Sequence, residues 1–245
     1  MSSKKSSSEL PNQEDQLSLI NILFDATSNA ISPDEIRKQI NVFKYKAAVR
    51  QTIRDSEDLD FNEEVFVKCT ARILSNFGMA RSGVFKGVGI ASDGKITGTK
   101  ILHNCWKIVG NQLIDIRRSV FESGYTRARY LLELNKSESE KLIAQIWSVT
   151  KQLLPITMGE TSYGLVGASK ILFAVLPEIV LPVDNNQWLK LFKTVDIGDI
   201  INEMVFEIQH WEKVTGEKLN EIDHLNRLTT LPSVYNVMAM KARPR

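Results

Sequence analysis

Two residues of this 245-residue chain invite a chemical reading before any others. Lys170 is a lone amine in the apolar run VGASKILFAVLPEIVLPV, and Asp184 is the carboxylate that follows that run. A lysine so placed either snorkels its ammonium to the surface or is desolvated. Desolvation lowers the pKa of an amine and makes it available as a nucleophile. Asp184-Asn185-Asn186-Gln187 reads as a capping box, in which the aspartate accepts from first-turn amides and Gln187 reaches back. That cap accounts for an aspartate here by itself. A carboxylate held at a helix start is also where a catalytic acid is well fixed.

The other chemical candidates are weaker. Gly89 to Ile96, GIASDGKI, matches a phosphate loop except at its end, where Ile96 replaces the hydroxyl that meets magnesium. Asp93-Gly94-Lys95 is the nearest acid-x-lysine to a nuclease motif, yet it falls in a turn signal. His103, His210 and His224 are scattered, and His103 with Cys105 lacks a second ligand pair at zinc spacing. Neither a metal nor a cofactor is expected. No serine sits in a strand-turn-helix elbow, and no motif nominates Cys69 or Cys105 as a nucleophile. From Ile36 to Arg54 the chain carries six basic residues and no acidic one. In a helix Lys46, Arg50 and Arg54 stack on one face, which either tracks phosphates or is a solvated surface.

The elements that must position these residues are helical nearly throughout. Hydrophobic residues make up 43% and charged residues 24%, with a net charge of +2, which suits a globular chain and argues for no partner by itself. No apolar run is long enough to span a bilayer, and the amino terminus has no apolar signal segment, so a cytoplasmic protein off the membrane is expected. Residues 1–13 are polar and Ser-rich and read as a disordered tail. Residues 14–245 read as a single helical domain, or as two interleaved lobes. Helices are expected over Gln16–Asn29, from Pro33 behind a Ser32 cap, and over Asn62–Phe77 with Gly78 as the stop. A glycine-rich hairpin or loop is expected near residues 83–100. Helices resume over Ile101–Glu122, Thr126–Leu134 and Glu138–Leu154, the last capped by Ser137. They continue over Gly164–Leu176, Asn185–Lys193, Asp196–Val214 and Asn220–Leu228, with a final one after Pro232. The class is all-α.

A glycine-bearing turn, a helix with a lysine, a proline-containing connector and Pro-Val-Asp opening the next helix resemble the helix-hairpin-helix DNA glycosylase superfamily. The likeness covers Tyr163 to Phe192, and its hairpin reads GLVGASK. The resemblance implies an all-α, two-lobed fold in which Gly164 and Gly167 contact DNA phosphates. It also implies that Lys170 attacks the anomeric carbon and that Asp184 stabilises positive charge on the sugar or activates a nucleophile. A flipped base needs an aromatic wall, for which Tyr163, Trp188 and Trp106 are available. Lys46, Arg50 and Arg54 would hold the strand. The expected function is therefore nucleic-acid binding with base excision or DNA processing. The alternative is a non-catalytic helical module that binds nucleic acid or a protein partner.

Overall fold

The computed structural model describes residues 21–56, 60–158, 164–223 and 230–244. The 1–13 tail lies outside the described residues. Among those described the chain is mostly helical, with one small hairpin. Helix α1 (Pro33–Val42) starts where Ser32 Oγ accepts the Glu35 amide at 3.3 Å, and Pro33 takes a position whose N–H a helix leaves unused. Helix α2 spans Lys46–Asp55 and α3 spans Glu63–Asn76. Asn62 Oδ1 caps α3 by accepting from the Glu64 and Val65 amides, and Gly78 leaves the helix in the left-handed region.

The glycine-rich stretch folds into strands β1 (Gly89–Ile90) and β2 (Ile96–Thr97), antiparallel across a turn at Gly94. Asp93 Oδ1 accepts the Lys95 amide at 3.0 Å, so the nearest nuclease-like acid serves its own turn. Helix α4 (Lys100–Glu122) and helix α6 (Lys136–Thr157) are the longest, with the single-turn α5 (Tyr130–Glu133) between them. Helix α7 (Leu165–Val175) is followed by an apolar connector and a π-helical segment, Gln187–Phe192. Helices α8 (Ile197–Thr215) and α9 (Leu231–Ala242) complete the described elements.

Helix α7 is buried at every residue, as a helix apolar on all sides must be. It packs against α3 and α6, which in turn pack against α4, while α2 covers α3 and touches α7. Helix α8 lies on α6, and α9 joins α1 and the π-helical segment. The buried side chains of all these elements form one cluster.

Four local expectations need correction. Residues 21–29 are not helical. Asp25 Oδ1 accepts the Thr27 and Asn29 amides and the Thr27 hydroxyl, and Ser28 adopts a positive φ of 61°. Such local side-chain bonds compete with helix formation. The Ile22 and Leu23 amides instead donate to Glu207 of α8, each at 2.6 Å, and Phe24 bridges to Ala30. The cap of α6 is Asn135 rather than Ser137, through a reciprocal box with Glu138 at 2.8 and 3.0 Å. The Thr126–Leu134 segment divides into a 3₁₀ turn at Arg127–Arg129 and α5. Near Asn220 only a single 3₁₀ turn forms, Leu219–Glu221, and residues 224–228 lie outside the described set.

Buried polar bonds fix the long-range geometry. Glu207 also accepts the Tyr235 hydroxyl of α9 at 2.6 Å, and burial raises its carboxyl to about 7. Arg117 of α4 donates to the Val175 carbonyl at 2.7 Å and to the Ser56 carbonyl at 2.6 Å. Those two carbonyls end α7 and α2, where a helix has no partner of its own to offer and where its dipole favours a cation. One guanidinium thus clips together the ends of the basic helix and the lysine helix.

Candidate functional site

Lys170 occupies the middle of α7 and is 4% exposed. The neighbouring Ser169 ties the connector to this helix: the Val183 amide donates to Ser169 Oγ at 3.1 Å. Residues 169 and 183 immediately precede Lys170 and Asp184, so this one bond ties the backbone leading into Asp184 to the helix that carries Lys170. A small hydroxyl at position 169 is what permits it, and nothing in its sequence spacing announced the partner.

The Lys170 ammonium is desolvated rather than snorkelled. Its Nζ meets the Met79 thioether at 3.7 Å and lies 5.7 Å from the Phe77 ring centroid. Among the described residues no carboxylate lies within ion-pair distance of it. Burial lowers its pKa to about 8, and the charge of Arg243 pushes in the same direction.

Asp184 is held by both oxygens. The Gln187 amide donates to Asp184 Oδ1 at 2.9 Å, and the Asp184 amide donates to Gln187 Oε1 at 2.6 Å, the reciprocal pattern of a capping box. Its second oxygen, Oδ2, is ion-paired with Arg243 from just beyond the end of α9. The Gln187 side-chain amide, fully buried, donates onward to Asn236 of α9 at 3.1 Å. Helix α9 is therefore keyed to the cap twice, once through Asn236 and once through Arg243. Arg243 was invisible to motif reading because it lies 59 residues beyond Asp184.

The remaining predicted site residues take up packing positions. Gly164 sits in the left-handed region at φ 84°, and a Cβ there would lie 2.6 Å from the Leu154 carbonyl oxygen. A Cβ on Gly167 would lie 2.7 Å from the Phe85 ring and 2.9 Å from Thr157. Both glycines are buried and serve the close approach of α7 to the end of α6. Trp188 is 5% exposed. Its indole Nε1 donates to Asn185 at 3.4 Å. Trp106 is half-buried against Phe61 and Phe66, over a glycine, Gly110, that leaves room for its ring. Tyr163 lies outside the described residues, as does His224.

Helix α2 does carry Lys46, Arg50 and Arg54 at helical spacing. Lys46 donates to the Asn41 carbonyl and Arg54 to Gln51, while Arg50 is half-buried. His103 pairs with Glu63 at 2.7 Å, and no group of three or more metal-ligating side chains occurs among the described residues. Burial pushes the Cys105 thiol up to about 12, far from a reactive thiolate. No helix among the described residues is long and apolar enough to cross a membrane.

Comparison with protein-family models, with curated proteins and with solved structures gave no match to this chain.

Proposed function

We propose that this chain processes DNA through the Lys170 amine, in the manner implied by its resemblance to the helix-hairpin-helix glycosylases. In this reading the neutral amine attacks the anomeric carbon of an extruded nucleotide. A C–N bond forms to lysine, the glycosidic C–N bond breaks, and the base leaves with its electron pair and is protonated. Asp184 stabilises the positive charge that develops on the sugar. Lys46, Arg50 and Arg54 on α2 contact the strand, and Arg117 holds that helix in register with α7.

The observation that carries the reading is the environment of Lys170. It is a buried amine with a thioether and an aromatic ring around it, and the Ser169–Val183 bond sets its helix beside the start of Asp184. A lysine buried for packing alone is expensive, because its ammonium loses hydration and gains no strong acceptor. The non-catalytic alternative is favoured by a different observation. Gly164, Gly167, Trp106 and Trp188 all have structural partners, so their residue types are explained without a ligand.

Borohydride trapping separates the two. With an oligonucleotide bearing an abasic site, wild-type protein is expected to give a covalent adduct that Lys170→Met loses. The adduct rate should rise with pH through about 8 as the amine deprotonates. If no adduct forms with abasic DNA or with a panel of damaged bases, the amine mechanism is wrong and the binding module stands. Retained, salt-sensitive binding to plain duplex would then identify nucleic acid as that module's ligand.

A further inference from the structure

The aromatic wall that a DNA-binding reading requires is not where the resemblance put it. Trp188 is buried, and Trp106 packs on Phe61 and Phe66. A different set of rings leads outward from the Lys170 amine. Phe77, at the end of α3, has its ring centroid 5.7 Å from Lys170 Nζ. Tyr45 stacks on Phe77, with centroids 4.5 Å apart and planes 16° from parallel. Phe43 meets Tyr45 edge-on at 5.7 Å and braces it. The Lys44 ammonium sits over the Tyr45 ring, 4.6 Å from its centroid. Phe77 already takes one face of Tyr45 at that spacing, so Lys44 covers the other.

The helix that Tyr45 begins does not explain it. Tyr45 holds the N-cap position of α2, where serine, threonine, aspartate or asparagine is usual, and its side chain makes no capping bond. Tyr45, Phe77 and Met79 are each half-buried, and Lys44 is exposed. The outer face of the stack is thus covered by a flexible lysine. A cation over an exposed ring is held weakly, and a flat base offers that face far more contact than one ammonium does.

We propose that the Tyr45–Phe77 stack is a platform for an unpaired base of single-stranded DNA, with Lys44 moving from the ring to a phosphate of that strand. The inference rests on the reading that the chain binds DNA at Lys170. The platform face lies one ring further from the amine than Phe77. The base it holds is therefore a neighbour of the reacting nucleotide and not the base that leaves. Stacking is tolerant of sequence, because every base has a π-face, so the platform holds the strand beside the amine whatever base flanks the target. Lys46, the next residue after Tyr45, opens the basic face of α2, which carries the contact on along the phosphates.

The experiment measures, by fluorescence anisotropy, binding of the full-length protein to two labelled single strands of equal length. One is built of thymidines and the other of abasic tetrahydrofuran residues, so the phosphates match and only the bases differ. Wild-type protein should bind the thymidine strand about tenfold more tightly. Tyr45→Ala should lose that preference with its affinity for the abasic strand unchanged, and Tyr45→Phe, which keeps the ring, should retain it. Lys44→Ala should weaken both strands and reduce the log–log salt slope by about 0.7; an unchanged slope overturns the role given to Lys44. If Tyr45→Ala does not fold, NOEs between the Tyr45 ring and thymine protons in wild-type protein decide, and their absence overturns the proposal. Equal affinity of wild type for the two strands, or a preference that survives Tyr45→Ala, also overturns it. A preference that depends on Tyr45, in a protein that forms no borohydride adduct, retains the platform and removes the reaction at Lys170. An adduct without a base preference retains the reaction and removes the platform.

Discussion

Two ionic clusters, one buried and one partly exposed, bracket the connector between α7 and the π-helical segment, and they differ in how their donors are satisfied. One contains Arg117, Arg127 and Glu178; the other contains Lys170, Arg243 and Asp184. Each combines two cations with one carboxylate. In the first, Arg117 donates to two helix-terminal carbonyls and lies 4.3 Å from the Phe61 ring centroid and 5.1 Å from that of Phe121. Arg127 is ion-paired with Glu178 and lies 4.4 Å from the Phe121 ring centroid. Burial pushes the Glu178 carboxyl up, while both arginines pull it down. In the second cluster Arg243 and Asp184 satisfy each other, and Lys170 is left with sulfur and a ring. Equal charge, then, does not mean equal role. A cluster whose cations reach carbonyl or carboxylate oxygens is a joint, and one whose amine meets only sulfur and a ring is a place where a proton can be given up at modest cost.

The largest effect should come from breaking the joint. Arg117→Ala removes two bonds to buried carbonyls and deprives Glu178 of one of its two cations. Losing one member of a buried charged network costs about 3–5 kcal/mol. Chemical denaturation should show that loss, and α2 should separate from α7, which hydrogen exchange at Ser56 and Val175 would report.

Lys170→Met should act in the opposite direction, and that reversal is the sharpest test of the comparison. A desolvated ammonium opposes folding at neutral pH. The folded amine titrates at about 8 and the unfolded one near the ordinary 10.5, so between these values the unfolded chain holds more protons. Wild-type stability therefore rises from about pH 8 to 10.5, because the burial cost of the charge disappears. At pH 7 the methionine variant should be more stable than wild type by about 1–3 kcal/mol, an advantage that shrinks as pH rises through this window. Denaturant midpoints at pH 7 and pH 10 would measure it. A variant less stable than wild type at pH 7 would mean that Lys170 is a satisfied structural residue after all.

What the sequence disclosed about these two regions follows from the range of the interactions. The Asp184–Gln187 box, the Ser32–Pro33 start and the Gly78 stop are local, each decided within four residues, and each is legible as a pattern. The apolar periodicity of α7 likewise revealed its burial. Arg117, Glu178, Glu207 and Arg243 were not legible, because their partners lie 28 to 185 residues away by the bonds they make. Asp25 shows the converse failure. Apolar spacing over Gln16–Asn29 argued for a helix, and a short-range carboxylate that captures two amides and a hydroxyl argued against it more strongly. Gly164 and Gly167 matched the hairpin glycines of the resemblance by position, but the physical demand on them is the approach of α7 to α6.

The smallest stability effect and the most specific functional one should coincide at Asp184. Asparagine is as good a helix cap as aspartate, so Asp184→Asn keeps the bond to the Gln187 amide. What it loses is the ion pair with Arg243, whose members are partly solvent-exposed, and such pairs contribute about 0–1 kcal/mol. The unfolding midpoint should hardly move. If Asp184 stabilises charge on a reacting sugar, the same change should slow adduct formation on DNA about a hundredfold or more, since a group aimed at developing charge acts mainly in the transition state. Stability and adduct rate measured on one preparation distinguish the cases. A stable variant with unimpaired adduct formation would reduce Asp184 to a cap, and the distinction between the two clusters would then rest on Lys170 alone.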